Sequence, residues 1–365
     1  MIHLDPSESG PAPRPRPARP VSFLPGPVAV HATVHEAFTR PAVSHRAAAF
    51  LEEIRRVRGR LRELTGAQHV QVLLGSGTLA NDAVAAQLSL RKERGERGIV
   101  LTNGEFGDRL AGQARRFGLE PSVLEAGWGE ALPYERARRA LTAGRFHWLW
   151  AVHCETSTGV LNDLERLKGL AREGGVGLCL DAISSLGTVP VDLDGVDLAS
   201  GVSGKGLASY PGLSFVFHQD PIEPSPSLPS YLDLGLYARS PATPFTASSN
   251  LLQALSTSLD RAAALGTSPR RADLARRLRP RLEALGFTAL APLALASPAV
   301  LSLLPPPPWR AFALGEALDE RGFLLGYRSE YLERRNLIQV CLMGEHSLRE
   351  GEAFLAALTD LLAPR

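Results

Sequence analysis

The sequence predicts an α/β fold in which a mostly parallel sheet is covered by helices on both faces. Three observations predict it. Short apolar runs alternate with amphipathic stretches of helix length from about residue 70 to about residue 218. The runs are continuously apolar rather than alternating, as strands buried on both faces are. Glycines, hydroxyl residues and acids gather just after the runs, where the carboxyl ends of parallel strands open into a ligand crevice.

The elements follow in order. Residues 1–20 end in PAPRPRPARP and read as a disordered Pro/Arg-rich tail, with neither an apolar h-region nor a small-residue cleavage site. VQVLL (70–74) leads into GSGT (75–78) and a helix; GIVLT (98–102) leads into NGEFGD (103–108) and another. HWLWAVH (147–153) precedes CETSTG and the helix DLERLKGLAREGG, and VGLCLD (176–181) precedes AISS. VDLASGV and LSFVFH flank SGKG (203–206), and a Pro-rich connection then gives way to a long helix from TPFTASSNLLQAL onward. Beyond about residue 265, helices alternate with the apolar runs AVLSLL and NLIQVCL. The division expected is a tail over 1–20, a large domain over 21–264 and a smaller C-terminal α+β domain over 265–365.

Bulk properties bound the function. The chain has 365 residues, 44% hydrophobic and 21% charged, enough for a large core. A net charge of +2 argues against a dedicated nucleic-acid protein, and no apolar run reaches the roughly 18 residues of a membrane span. Cys154, Cys179 and Cys341 are too few and too scattered for a disulfide framework, which predicts a cytoplasmic protein. Cys154 reads as a structural thiol. His31 and His35 stand at i, i+4 but have no evident third ligand, so packing or pocket roles are expected and no metal site is assigned.

The chemistry starts from lysine usage. Lys and Arg number 40, yet only Lys92, Lys168 and Lys205 are lysines. Lys92 and Lys168 stand in charged helical contexts and read as solvated. Lys205 stands among Gly, Ser and Ala, where a primary amine that can lose its proton differs from a guanidinium that cannot. A phosphate-loop reading fails, since Ala199 and Gly206 occupy the places that need Gly and a hydroxyl residue. Asp181 closes an apolar strand 24 residues earlier, far enough for the chain to go out and return on a neighbouring strand. Taken alone, Asp181 is equally a turn carboxylate and GSGT a plain N-cap. Together, a helix start suited to phosphate, a strand-end carboxylate and a singular lysine are what pyridoxal 5'-phosphate requires, with Phe106 placed to stack on its ring. His153 and Glu155 flank the region and either tune a cofactor or fill polar space.

GSGT, NGEFGD, VHCETSTGVLND, DAISSLG and SGKGLASYPGLSFVF, in this order, resemble the class V aminotransferases of pyridoxal phosphate fold type I, near the alanine/serine-glyoxylate aminotransferases and 2-aminoethylphosphonate transaminases. The resemblance runs from FLPGPV at Phe23 to Gly344. It implies a large domain with a mostly parallel seven-stranded sheet and a homodimer with shared active sites. It implies catalytic roles for Lys205, covalently joined to the cofactor, and Asp181, at the pyridine nitrogen. It puts Ser76, Gly77, Thr78, Phe106, Thr156, Ser184 and Gly204 around the cofactor, and brings Thr243 and Thr246 from the partner subunit. Gly26 and Pro27 would line the substrate pocket.

Two positions depart from the pattern. Gly204 replaces a Gln or Asn that helps to hold the phosphate, and Gln339 replaces an arginine that grips the substrate carboxylate. A neutral amide lacks the bidentate, charge-assisted grip of arginine. Arg328, with Arg334 and Arg335 behind it, is the replacement expected, and removing its charge should then raise the Michaelis constant for carboxylates. The resemblance implies transfer of an amino group from a small donor such as alanine or serine to a 2-oxo acid such as glyoxylate or pyruvate. The alternatives are a 2-aminoethylphosphonate-type transaminase, a lyase, or an inactive binding protein of the same fold.

Overall fold

A computed structural model describes residues 20–91, 95–265 and 267–363. The expected tail, apart from Pro20, and Lys92 lie outside the described residues. A sheet of seven strands forms the centre, in the spatial order His69–Gly75, Gly212–His218, Leu198–Val202, Gly177–Asp181, Trp148–Val152, Gly98–Thr102 and Ser122–Glu125. Every pairing is parallel except those of Gly212–His218, which runs antiparallel to both neighbours. This strand follows its partner Leu198–Val202 through a short connection, which permits a hairpin but no parallel crossover. The turn of that hairpin carries Lys205.

Period-two alternation sends each strand's side chains to opposite faces. Val100, Trp148, Trp150 and Cys179 pack under the helices Gly77–Ser89 and Glu105–Arg116. Ile99, Leu101, Leu149 and Leu180 pack on the other face with the helices Ala48–Thr65 and Leu164–Gly174. Trp148 seats against Gly98, where a Cβ would fall 2.0 Å from the indole, so the strand starts on glycine. Ser122–Glu125 has no counterpart in the sequence reading. It is a four-residue edge strand, partly exposed throughout, and lacks the continuous apolar run that marks the inner strands.

The C-terminal part has its own core, built from Leu278, Leu301, Leu314, Val340 and Phe354 among others. Its strands Thr288–Ala289, Val300–Leu304 and Ile338–Cys341 form an antiparallel sheet. Val21–Phe23 pairs in parallel with Phe323–Leu325, and Phe23 stacks on His346 with ring centroids 4.9 Å apart. The N-terminal strand thus packs with the C-terminal core, unlike the expected boundary at residue 21. Lys168 also departs from expectation. Its side chain is 7% exposed, and Nζ pairs with Asp192 at 2.9 Å and Glu165 at 3.2 Å, so it is a buried partner rather than a solvated charge. Among the described residues, no helix is long and apolar enough to cross a membrane.

Candidate active site

A cavity of about 510 Å³ opens at the carboxyl ends of the central strands. Asp181, Lys205, Gly77, Thr78, Phe106, Thr156 and Ser184 all line it. Residues spread over 129 positions of sequence meet here because the parallel strands end side by side.

Asp181 ends its strand and is 4% exposed. Its Oδ2 accepts from Asn81 Nδ2 at 2.8 Å, and its Oδ1 from the Ile183 N–H at 2.9 Å. Burial raises its pKa, while the bonds from Asn81 and Ile183 and the charge of Lys205 pull it back. Burial lowers the pKa of Lys205, opposed by Cys341, Asp181 and Cys154. The flanking glycines are set by packing. A Cβ on Gly204 would fall 2.8 Å from Pro211 Cα, and one on Gly206 would fall 2.4 Å from the Leu186 carbonyl. The loop FLPGPV passes over the lysine, since a Cβ on Gly26 would lie 3.6 Å from Lys205 Nζ.

The helix Gly77–Ser89 points its start at the cavity. Ser76 is its N-cap, yet its side chain makes no capping bond. The N–H groups of Leu79 and Ala80 reach back to the Ser76 carbonyl, which leaves those of Gly77 and Thr78 at the positive end of the helix for an anion. Ile183 packs where a Gly77 Cβ would stand, at 2.7 Å. Phe106 forms part of the wall, with the Arg109 guanidinium 5.0 Å from its ring centroid and Tyr331 edge-on at 6.3 Å. Thr156 Oγ1 and Ser184 Oγ are hydrogen-bonded at 2.5 Å.

Other expected residues lie apart. Thr243 and Thr246 are off this cavity, in a loop whose Phe245 stacks on Tyr231 at 4.3 Å; Thr246 is exposed. Gly26 and Pro27 are exposed, and Gly26 lines a neighbouring cavity of about 340 Å³. Arg328 lines that second cavity rather than the first. Its guanidinium pairs with Glu316 at 2.5 Å and lies 3.7 Å from Asp319, so its charge is already matched. Arg335 lies flat on Trp128 at 3.6 Å. Gln339 is 0% exposed and does not line the cavity. Its amide donates to the Thr156 carbonyl at 2.5 Å and to Ser302 Oγ at 2.8 Å, and accepts from Tyr331 Oη at 3.2 Å. An amide so engaged has no donor left for a substrate.

Cys154 lines the cavity, but burial pushes its thiol up to about 12 and Sγ contacts Ser297 Oγ at 3.4 Å, as suits a packed thiol. Burial pushes His153 down to about 4, leaving it neutral. His31 caps its own helix and His35 bonds to Tyr210 at 2.7 Å. Sequence reasoning missed Asn81 and Asp82, which line the cavity beside Thr78. Helical spacing was the available signal, since residues three and four after Thr78 share its face.

The residues present fit pyridoxal phosphate. The amine of Lys205 is desolvated, Asp181 is a carboxylate at a strand end, and an uncapped helix start faces the same space as an aromatic ring. A model of the family described as aminotransferase class V matches residues 29–226, more than half the chain.

The chain belongs to the class V aminotransferases.

Its cofactor is pyridoxal 5'-phosphate, and its fold is fold type I. This class V aminotransferase is 29% identical to an alanine–glyoxylate aminotransferase from Nostoc sp., with a TM-score of 0.86 over 99% of this chain and 98% of that one. It is 33% identical over 304 residues to the soluble hydrogenase small subunit of a Synechococcus species, covering 78% of this chain and 77% of that protein. It is 29% identical over 337 residues to the 2-aminoethylphosphonate–pyruvate transaminase of Syntrophobacter fumaroxidans, covering 86% and 89%.

Proposed function

We propose that this aminotransferase moves an amino group from a small donor such as alanine or serine to a small 2-oxo acid such as glyoxylate or pyruvate. The observation that carries the reading is the meeting of Lys205 and Asp181 on one cavity with the open helix start at Gly77 and Thr78. In this reading Lys205 holds the cofactor, Asp181 stands at its pyridine nitrogen, and Phe106 stacks on its ring. Ser76, Gly77 and Thr78 hold the phosphate, and Thr156 and Ser184 flank it with hydroxyls. Bound pyridoxal phosphate supplies an electron sink for the carbon that exchanges its amino group. Lys205 Nζ, whose pKa burial lowers, accepts the proton from that carbon and returns one at the end of the transfer. Asp181, held by Asn81 and Ile183, offers its carboxyl group to the ring nitrogen.

The active unit in this reading is a homodimer. Thr243 and Thr246 lie off the cavity of their own subunit, which supports their reaching the partner's. Three buried free thiols support a reducing, cytoplasmic setting.

Gln339 favours a second reading, in which the donor carries no carboxylate on its amine-bearing carbon, as in 2-aminoethylphosphonate. The amide is fully engaged within the protein, and Arg328 is paired elsewhere. Offering each donor with glyoxylate or pyruvate and analysing both products tests these readings. Paired oxo and amino products, formed only with an acceptor and lost in Lys205→Ala, support transfer. Oxo product released over many turnovers without an acceptor, beyond one equivalent per active site, would make the protein a lyase, and full activity in Lys205→Ala would remove the mechanism.

A further inference from the structure

The helix Glu105–Arg116, which carries Phe106, begins at a residue that cannot cap it. Gly104 has no side chain, and a Cβ there would stand 2.5 Å from Ser157 Oγ and 2.6 Å from Glu155 Cγ. The first N–H groups of a helix have no partner inside it and need one outside. They find it in the ETSTG turn. The Glu105 N–H donates to Ser157 Oγ at 3.0 Å, the Phe106 N–H to Glu155 Oε1 at 3.3 Å, and the Gly107 N–H to Glu155 Oε2 at 3.0 Å. Ser157 holds the carboxylate from the other side, donating to Oε1 through its N–H at 3.1 Å and its hydroxyl at 2.5 Å.

Glu155 is 0% exposed, and burial pushes its carboxyl up to about 7 while these bonds pull it down. Such burial is costly unless the acceptor is fully used, and here both oxygens are. The carboxylate also sits at the positive end of the helix. It does not line the cavity, whereas Phe106, Arg109 and Arg116 on the helix it starts all do.

We propose that Glu155 is a positioning residue for the ring that faces the cofactor: from the ETSTG turn its carboxylate fixes the start of the helix and so the face that Phe106 turns to the cavity. This rests on the reading of Phe106 as the stacking ring. An amide cannot replace the carboxylate, because all the groups aimed at the two oxygens are donors and one amide end is itself a donor.

The test is a double-mutant cycle on the holoenzyme, with wild type, Glu155→Gln, Phe106→Ala and the double variant. The readouts are the dissociation constant of pyridoxal phosphate and the visible circular dichroism of the bound cofactor, which follows ring orientation. Glu155→Gln is expected to weaken binding about tenfold, the scale of a lost buried charged hydrogen bond, and to diminish the dichroic band. In the Phe106→Ala background the same change is expected to add less than about twofold, since coupled residues do not add. Additive effects, or a Glu155→Gln protein with unchanged band and affinity, would overturn the proposal. If Phe106→Ala alone changes neither readout, the stacking reading fails and the proposal with it. Should Glu155→Gln not fold, Ser157→Ala, which loses one donor to the carboxylate, is expected to show the same coupling with a smaller effect; additivity there would count against the proposal equally.

Discussion

The side-chain amide of Gln339 donates a 2.5 Å hydrogen bond to the backbone carbonyl of Thr156, whose hydroxyl meets Ser184 at the cavity wall. The bond ties the C-terminal strand Ile338–Cys341 to the turn beside the site. Gln339 is therefore a structural tie between the two cores.

Removing that tie should show in stability. Gln339→Leu takes the acceptor of Tyr331 Oη away and leaves the Thr156 carbonyl only the 3.4 Å bond from Ser302 Oγ, a loss of about 1–3 kcal/mol by the usual penalty for unmet buried groups. Urea unfolding of the holoenzyme measures it. A change below about 0.5 kcal/mol would show that the tie carries little.

Arg328 should matter little to substrate. Its partners are Glu316 and Asp319, its side chain is 56% exposed, and it faces another cavity. Arg328→Ala is expected to leave the Michaelis constant for carboxylate substrates within about twofold and to lower stability by no more than about 1 kcal/mol. Steady-state kinetics with alanine and glyoxylate check this. A large rise in that constant would return Arg328 to the substrate site.

Gly204 cannot be enlarged. The atom a Cβ would meet at 2.8 Å is the α-carbon of Pro211, which cannot swing aside. Gly204→Ala is expected to cost about 1–3 kcal/mol, the range for overpacking, and Gly204→Gln, which restores the amide of the resemblance, should cost at least as much. Thermal unfolding of both variants with cofactor is the check, and wild-type stability in either would refute the packing argument.

The contribution of Lys205 to apo-protein stability should grow with rising pH on the alkaline side. Burial lowers the folded-state pKa of Lys205 below the ordinary lysine value of about 10.4. The cost of charging the buried amine is fully present below the lowered value and is relieved as pH rises through it, until the unfolded chain also loses its proton. Lys205→Met removes this contribution. The urea midpoint of wild type relative to the variant should climb from neutral pH upward, and parallel curves would contradict the assignment.

The sheet was legible because inner strands such as GIVLT and HWLWAVH are apolar on both faces, and the edge strand Ser122–Glu125 was not because it is half wet. Lys205 and Asp181 stood out, one by its rarity and one by closing a strand. Long-range pairing was hidden. Nothing in VSF says that it will lie beside Phe323–Leu325, and nothing in GYRSEY says that Arg328 will meet Glu316. Glu155 was visible as an acid near the site, but its task depends on Gly104 lacking a side chain 51 residues earlier, a relation that exists only in space.

In the proposed reaction Lys205 and Asp181 form the working end of the aminotransferase. The most direct measurement follows the visible spectrum of the purified protein with pyridoxal phosphate as alanine, serine and 2-aminoethylphosphonate are added in turn, without acceptor. One donor is expected to convert the bound cofactor to its amino form with one equivalent of oxo product, pyruvate or glyoxylate to reverse the change, and Lys205→Ala to do neither. A protein that binds the cofactor through Lys205 but is discharged by none of these donors would contradict the proposed reaction.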